Sequence, residues 1–344
     1  MAELLEKMCS AFGPSSCEDE VRDIIIDAVK PYATSLRVDK CGNLVVFKQG
    51  KKRREHKLLL SAHMDEVGFM VTAISNEGFV LFDTVGGIDR RVASGRRIIL
   101  GDKRMPAVIA AKAIHLQTAE ERGVVPPVDK MFIDIGCRNR RDTLNRVTPG
   151  DLAVFEPNFE RFGTCKIKSK AIDDRFGCWA LCELIKRDPE YDTYFAFVTA
   201  EEEGCRGAMN VAYSERADRV IVVEGTTAGD IHGAPESKLA CILGQGAVVS
   251  FMDNGTVYDP AVVRKVVRLA EKHGVKYQLK NLVAGGNDAQ AYQRSALPAK
   301  VAAISAPVRY IHSACSVADE RDFEEIIKLL DVLMNESDIY EGDE

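Results

Sequence analysis

Tyr194-Phe195-Ala196-Phe197-Val198-Thr199-Ala200-Glu201-Glu202-Glu203-Gly204-Cys205-Arg206-Gly207-Ala208 runs an apolar segment into three consecutive glutamates and then into small residues. Residues 193–199 have the length and aromatic content of a strand buried on both faces, and residues 207–212 suit a helix. Three like charges at the end of a buried strand repel one another. A solvated loop relieves them, and so does a bound divalent cation, which supplies the missing positive charge. Open α/β sheets gather ligand-binding side chains just beyond the carboxyl ends of their strands, so this unit predicts both a fold class and the place of a site.

The alternation continues on both sides. Downstream of Ala171 the spacing predicts helices over 175–186, 261–272 and 323–334 and strands over 219–223 and 300–304; Val262, Val263, Val266, Val267 and Ala270 share one helical face. Upstream, residues 18–29 read as an amphipathic helix, 39–47 as a hairpin turning at Cys41-Gly42-Asn43, and 57–61 as a buried strand aimed at His63. Between these blocks short β-rich segments recur at 69–74, 79–82, 97–100, 107–111, 131–135 and 152–155 with turn residues between them, the signature of a small barrel or sandwich. The expected fold class is therefore α/β, a helix-covered, mixed but mainly parallel sheet with an inserted all-β barrel. Residues 1–67 and 164–344 form the two parts of the main domain and 68–163 the insertion.

The 344 residues carry 46 basic and 52 acidic side chains, a formal net charge of -6 without a long run of either sign. That balance provides no footprint for nucleic acid or an anionic membrane. The first residues are charged rather than apolar, and Ala107-Val108-Ile109-Ala110-Ala111 is stopped by Lys112, so neither a secretory signal nor a membrane span is read. Ten scattered cysteines without a CxxC pair fit reduced thiols and a cytoplasmic location. Cys178 and Cys182, one helical turn apart, read as core packing, and His56, His232 and His273 as exposed. There is no internal repeat, and the low-complexity content is an acidic tail at Glu341-Gly342-Asp343-Glu344.

Other acidic and histidine groups fall at comparable places. His63 ends a buried strand with Asp65 two residues on, a spacing that suits a metal-ligating histidine oriented by a carboxylate and equally a structural histidine. Asp173-Asp174 opens a helix, either as an N-cap or with one carboxylate leaving the helix to bridge two cations. Glu224 closes the 219–223 strand, and His312 follows the last strand. Each is commonplace alone, whereas the order His, Asp, Glu-Glu, Glu, His over five elements is not.

Six segments together resemble the TET-type metallo-aminopeptidases, the family of glutamyl aminopeptidase and of bacterial relatives labelled cellulase-like. They are Phe12-Gly13-Pro14-Ser15, His63-Met64-Asp65-Glu66-Val67-Gly68, Asp173-Asp174-Arg175, Glu201-Glu202 with Arg206-Gly207-Ala208, Gly285-Gly286-Asn287-Asp288 and Arg309-Tyr310-Ile311-His312-Ser313. The resemblance implies a zinc-peptidase-like catalytic domain with two divalent metal ions per subunit. His63 and Glu224 would hold one, Glu202 and His312 the other, with Asp173 bridging and Glu201 free as catalytic base; Asp65, the orienter of His63, is read with Glu201 as a catalytic residue. It also implies a cis bond between Asp173 and Asp174, a barrel that pairs subunits, and dimers that assemble into tetrahedral dodecamers. Two positions depart from the family pattern, Glu224 where aspartate is usual and Asn287 where threonine is usual.

Three ligand carboxylates and two neutral histidines leave two divalent cations with one uncompensated positive charge, which a bound hydroxide neutralises. The reaction implied is removal of N-terminal residues from peptides, with Glu201 taking the water's proton and passing it to the leaving amine. Nitrogen and oxygen ligands suit zinc, cobalt or manganese. A two-metal deacylase of small amides, a glycosidase using two carboxylates, and a non-catalytic scaffold are the alternatives. The loop at 115–127, with Glu120, Glu121 and Arg122 at its centre, reads either as a surface loop or as a mobile segment reaching a neighbouring active site.

Overall fold

Alternation along the central strands decides the layering. Leu58, Leu60, Phe195, Phe197, Ile221, Val223, Ala302 and Ile304 are buried on one side of the sheet, while Leu59, Ala196, Val198, Val220, Val222, Val301 and Ala303 are buried on the other. Successive strand side chains point to opposite faces, so strands apolar at every position need cover on both. The computed structural model describes residues 2–340, and the acidic tail at 341–344 lies outside them.

The eight-stranded sheet has the order Ser35–Val38, Leu44–Lys48, Thr193–Val198, Leu58–His63, Arg219–Thr227, Lys300–Val308, Ala247–Val249, Tyr277–Leu279. Its four central strands, Thr193–Val198 to Lys300–Val308 in that order, run parallel. Antiparallel pairings flank them. Helices Ala2–Ser10, Asp19–Val29, Ile172–Ile185, Pro260–Lys272 and Glu320–Asn335 cover one face. Arg206–Glu215 and Ala289–Arg294 cover the other. This is the mainly parallel, helix-covered sheet expected.

Six strands, Gly68–Ile74, Val80–Val85, Arg97–Leu100, Met105–Ala111, Met131–Asp134 and Leu152–Phe155, close into an antiparallel barrel with its own core around Phe69, Phe82 and Phe155. All six overlap the short β segments read in the sequence. Their alternation and frequent turns carry the signal, since a small closed barrel needs apolar residues on one face only. The segment at 115–127 contains the short helix Ala119–Arg122, capped by a reciprocal Thr118–Glu121 pair, and is exposed.

Helix Ile172–Ile185 is buried almost throughout, because it lies between the sheet and the outer helices. Its Phe176 stacks on Phe323 of the closing helix with ring centroids 4.1 Å apart, and Trp179 packs beside them. Cys178 and Cys182 belong to this same packed layer, as read from their apolar neighbours. Among the described residues no helix is long and apolar enough to cross a membrane. Phe323→Ala is expected to lower unfolding stability by about 3–5 kcal/mol through loss of burial and an incompletely collapsed cavity, measured by urea unfolding followed with Trp179 fluorescence.

Candidate active site

The carboxyl ends of the parallel strands converge on one crevice of about 370 Å³, whose lining includes Asp173, Glu201, Glu202, Glu224, Lys280 and His312. His63 ends its strand; Glu201 and Glu202 occupy the turn after Thr193–Val198; His312 lies four residues beyond Lys300–Val308. One expectation needs correction. Glu224 does not close its strand, which continues to Thr227 because Glu224 through Thr227 pair in register with Ser305 through Val308 of the neighbour.

The two histidine rings present their Nε2 atoms to the crevice. Nδ1 of His312 donates to Gly87 O at 2.8 Å, and Nδ1 of His63 faces Asp65 O at 3.1 Å and Asp65 Oδ1 at 3.3 Å. Those partners only accept, so in the neutral rings Nε2 carries the lone pair. His63 Nε2 lies 3.2 Å from Glu224 Oε1 and 3.5 Å from Asp173 Oδ1. His312 Nε2 lies 3.1 Å from Glu202 Oε1 and 3.4 Å from Asp173 Oδ2. Asp173 thus turns one oxygen to each histidine.

The adjacent aspartates divide the two readings of their sequence. Asp174 accepts from Gly177 N at 3.0 Å and from His63 N at 3.3 Å, and caps the helix. Asp173 turns away from it, across a cis Asp173–Asp174 bond. Gly225 donates its N–H to Asp173 Oδ1 at 3.2 Å, and a Cβ on Gly225 would meet that oxygen at 2.7 Å, so glycine leaves the room. Ala171, Ala200, Cys205 and His312 all hold left-handed backbone around the crevice, a concentration of strain typical of functional sites.

Asp65 connects the elements. Its carboxylate accepts from Ser15 Oγ at 2.6 Å, from Glu201 N at 3.0 Å and from Glu202 N at 3.2 Å, besides facing His63. Burial acts to raise its pKa, but His63 and these donors outweigh it and hold Asp65 below the usual carboxylate range. Behind it, buried Glu66 binds Lys170 Nζ at 2.6 Å and Arg175 at 3.1 Å, while Arg175 Nε donates to Met64 O at 2.8 Å.

Two of the remaining carboxylates shift in opposite directions. Burial pushes Glu201 well above the usual range, reinforced by Asp288, Glu202 and Asp65 against the charge of His63. Asp173 is held well below it because hydrogen bonds from His312 and His63 outweigh burial. Burial opposes protonation of His312, yet Asp173 and Glu202 raise it to about 11.

These residues fit a cationic guest. His63, Asp173 and Glu202 bring ligand atoms within 4.8 Å of one another, and so do His63, Asp174 and Glu224. Glu224 Oε2 is buried without a hydrogen-bond partner, a cost that a cation removes. Sequence reasoning assigned no role to Lys280, Asp288 or Gln290, all near this centre. Lys280 stands in a segment without periodicity, and the Gly285-Gly286 pair is the available signal for the other two.

The model of the M42 glutamyl aminopeptidase family matches residues 42–329, and the chain belongs to that family. It is a peptidase. A protein of Acetivibrio thermocellus provisionally named an aminopeptidase is 35% identical over 332 residues, covering 96% of this chain and 97% of that one. A TET aminopeptidase from a marine-sediment Thaumarchaeota archaeon is similar in structure, with a TM-score of 0.93 at 30% identity over 98% of this chain and 96% of that one. A TET peptidase of Pyrococcus horikoshii that can assemble into a tetrahedron or a large octahedral shell has a TM-score of 0.85 at 34% identity, covering 97% and 99%.

Asp65→Asn keeps the shape but removes the charge that holds His63 and the Glu201-Glu202 turn. Metal affinity is expected to fall by about 10–100-fold, measured by competition with a chromogenic chelator.

Proposed function

We propose that this chain is a dinuclear metal-dependent aminopeptidase that removes N-terminal residues from peptides. The observation that carries the reading is Asp173, whose two oxygens face His63 and His312 separately while Glu201 stays outside both groups. His63 with Glu224 would hold one ion and Glu202 with His312 the other, Asp173 being shared. When bound, two divalent ions lower the pKa of water and polarise a carbonyl. Zinc, cobalt and manganese all suit this donor set.

Adjacent glutamates have different tasks in this reading. Glu202 is committed by His312, whereas among the described residues the Glu201 carboxylate is hydrogen-bonded to the Cys205 thiol alone, at 3.5 Å. Glu201 takes a proton from the attacking water and returns it to the departing amine, and its burial makes the carboxyl easier to protonate than an exposed one. The acidic lining attracts the free ammonium of a peptide N-terminus. Asp65 positions this turn through the backbone N–H groups of both glutamates.

The decisive assay uses aminoacyl chromogenic substrates and short peptides with chelated protein reloaded with zinc, cobalt or manganese. Metal-restored release of amino acids from free N-termini, absent when the amine is blocked, is the expected result. Glu201→Gln should keep its metals and lose about 10²–10⁴-fold in kcat. Near-normal turnover of that variant removes Glu201 as the base, and cleavage of blocked amides alone makes the protein a deacylase. Activity on glycans that survives chelation makes it a glycosidase.

Residues 68–163, inserted between 1–67 and 164–344, are proposed to pair subunits, and the pairs to build a closed assembly that extends to a tetrahedral dodecamer. Exposed Met70, Leu81, Val108, Ile114, Leu116 and Val124 on the barrel and its loop support this reading. The 115–127 loop is proposed to reach a neighbouring subunit's crevice. A cytoplasmic location is proposed from the ten free cysteines. Val108→Glu should shift the sedimentation profile toward monomer, and deletion of 115–127 should change KM. An unchanged profile counts against the barrel interface, and unchanged kinetics against the loop.

A further inference from the structure

A second group of potential ligands borders the same crevice. Glu201, Cys205 and Asp288 place a carboxylate oxygen, a thiol sulfur and a second carboxylate oxygen within 4.8 Å of one another. Asp288 is fully buried, and among the described residues neither of its carboxylate oxygens accepts from an N–H or O–H group. Cys205 is also buried; its sulfur lies 3.5 Å from Glu201 Oε1 and 3.2 Å from Gln290 Nε2. The residue is held with φ at 57° in left-handed backbone, and its N–H donates to Glu201 O at 2.9 Å, which ties it to the glutamate turn.

We propose that Glu201, Cys205 and Asp288 form a third, inhibitory zinc site beside the two-ion centre. The proposal rests on the reading of Glu201 as the base, because zinc held there withdraws that carboxylate from proton transfer. Zinc–sulfur and zinc–oxygen bonds of about 2.3 and 2.1 Å in a tetrahedron separate the donor atoms by about 3.4–3.6 Å. The Cys205–Glu201 separation already has that value. On binding, the Cys205 S–H bond breaks, its proton and any carried by the Glu201 and Asp288 carboxyls leave to solvent, and the sulfur's electron pair forms the bond to zinc. A thiolate and two carboxylates give three negative charges for one dication, and Gln290 Nε2–H is placed to donate to the thiolate. Sulfur makes this site softer than the nitrogen and oxygen centre, so it selects zinc or cobalt over manganese.

Titration of the metal-free full chain with cobalt(II), followed by absorbance and equilibrium dialysis, tests the site without reference to turnover. The expected result is a third ion per subunit accompanied by a near-ultraviolet thiolate-to-cobalt band, with Cys205→Ala binding two ions and lacking the band. Asp288→Asn, which retains the thiol and the shape, should weaken the third ion by about tenfold or more. Zinc beyond two equivalents should slow hydrolysis about tenfold in the native protein and less than about twofold in Cys205→Ala, each relative to its own starting rate. Absence of a third ion, or a band that persists in Cys205→Ala, overturns the site; equal zinc inhibition of the two proteins overturns its inhibitory role. If Glu201 is not the base, Glu201→Gln keeps its turnover, a result read separately from the cobalt band.

Discussion

Asp65 is the carboxylate on which the arrangement of the crevice depends. It is fully buried, and it draws on a loop hydroxyl, a histidine ring and two backbone N–H groups of the glutamate turn. Hydrogen bonds to a charged acceptor are about twice as strong as neutral ones, and each also fixes a direction. The same group that sets the His63 tautomer therefore sets where Glu201 and Glu202 begin. Two parallel strands that are neighbours in the sheet are locked together at their functional ends by one side chain.

Concentrating Asp173, Glu201, Glu202 and Glu224 in one partly enclosed space is unfavourable on its own, and the structure distributes the burden unevenly. Asp173 and Glu202 face histidines, Asp65 faces donors, and Glu66 has a lysine and an arginine behind the strand end. Glu201, Glu202, Glu224 and Asp288 are left with raised pKa values, mainly because burial disfavours their charged forms, in Glu202 against the pull of His312. Raised carboxyl groups beside clustered ligands are the usual mark of a site whose electrostatics are completed by a guest. The buried, unpartnered oxygen of Glu224 and both of those of Asp288 point the same way.

Helix Ile172–Ile185 explains how the candidate crevice and a stable core share one element. Its first turn supplies Asp173 to the crevice and Asp174 as the cap behind it, and the rest packs on the sheet and on Phe323. Any displacement of this helix would move the shared carboxylate against both histidines. The aromatic stack is thus as relevant to the site as to stability.

Much of this was legible in the sequence because strong periodic signals coincide with chemistry. The apolar runs at 58–62 and 194–198 mark strands buried on both faces, and the polar residues directly after them mark the crevice. The short alternating segments between 69 and 155 likewise announce a small barrel or sandwich, and the structure closes them into a barrel. Other features depend on distances across the fold. Glu224 sits inside a strand whose length is set by pairing with Ser305 through Val308, which no local pattern reveals. The separate tasks of Asp173 and Asp174 are decided by Gly225, His312 and Gly177, contributed from three places in the chain. The thiol of Cys205 reads as packing until Asp288, 83 positions away, is brought beside it. The sequence by itself determined the layers of the fold and the residue types at the strand ends, because burial and alternation are local properties of a strand or helix. Tertiary structure alone decided which carboxylate faces which partner, because charge, hydrogen bonding and desolvation act through space between groups far apart in the chain.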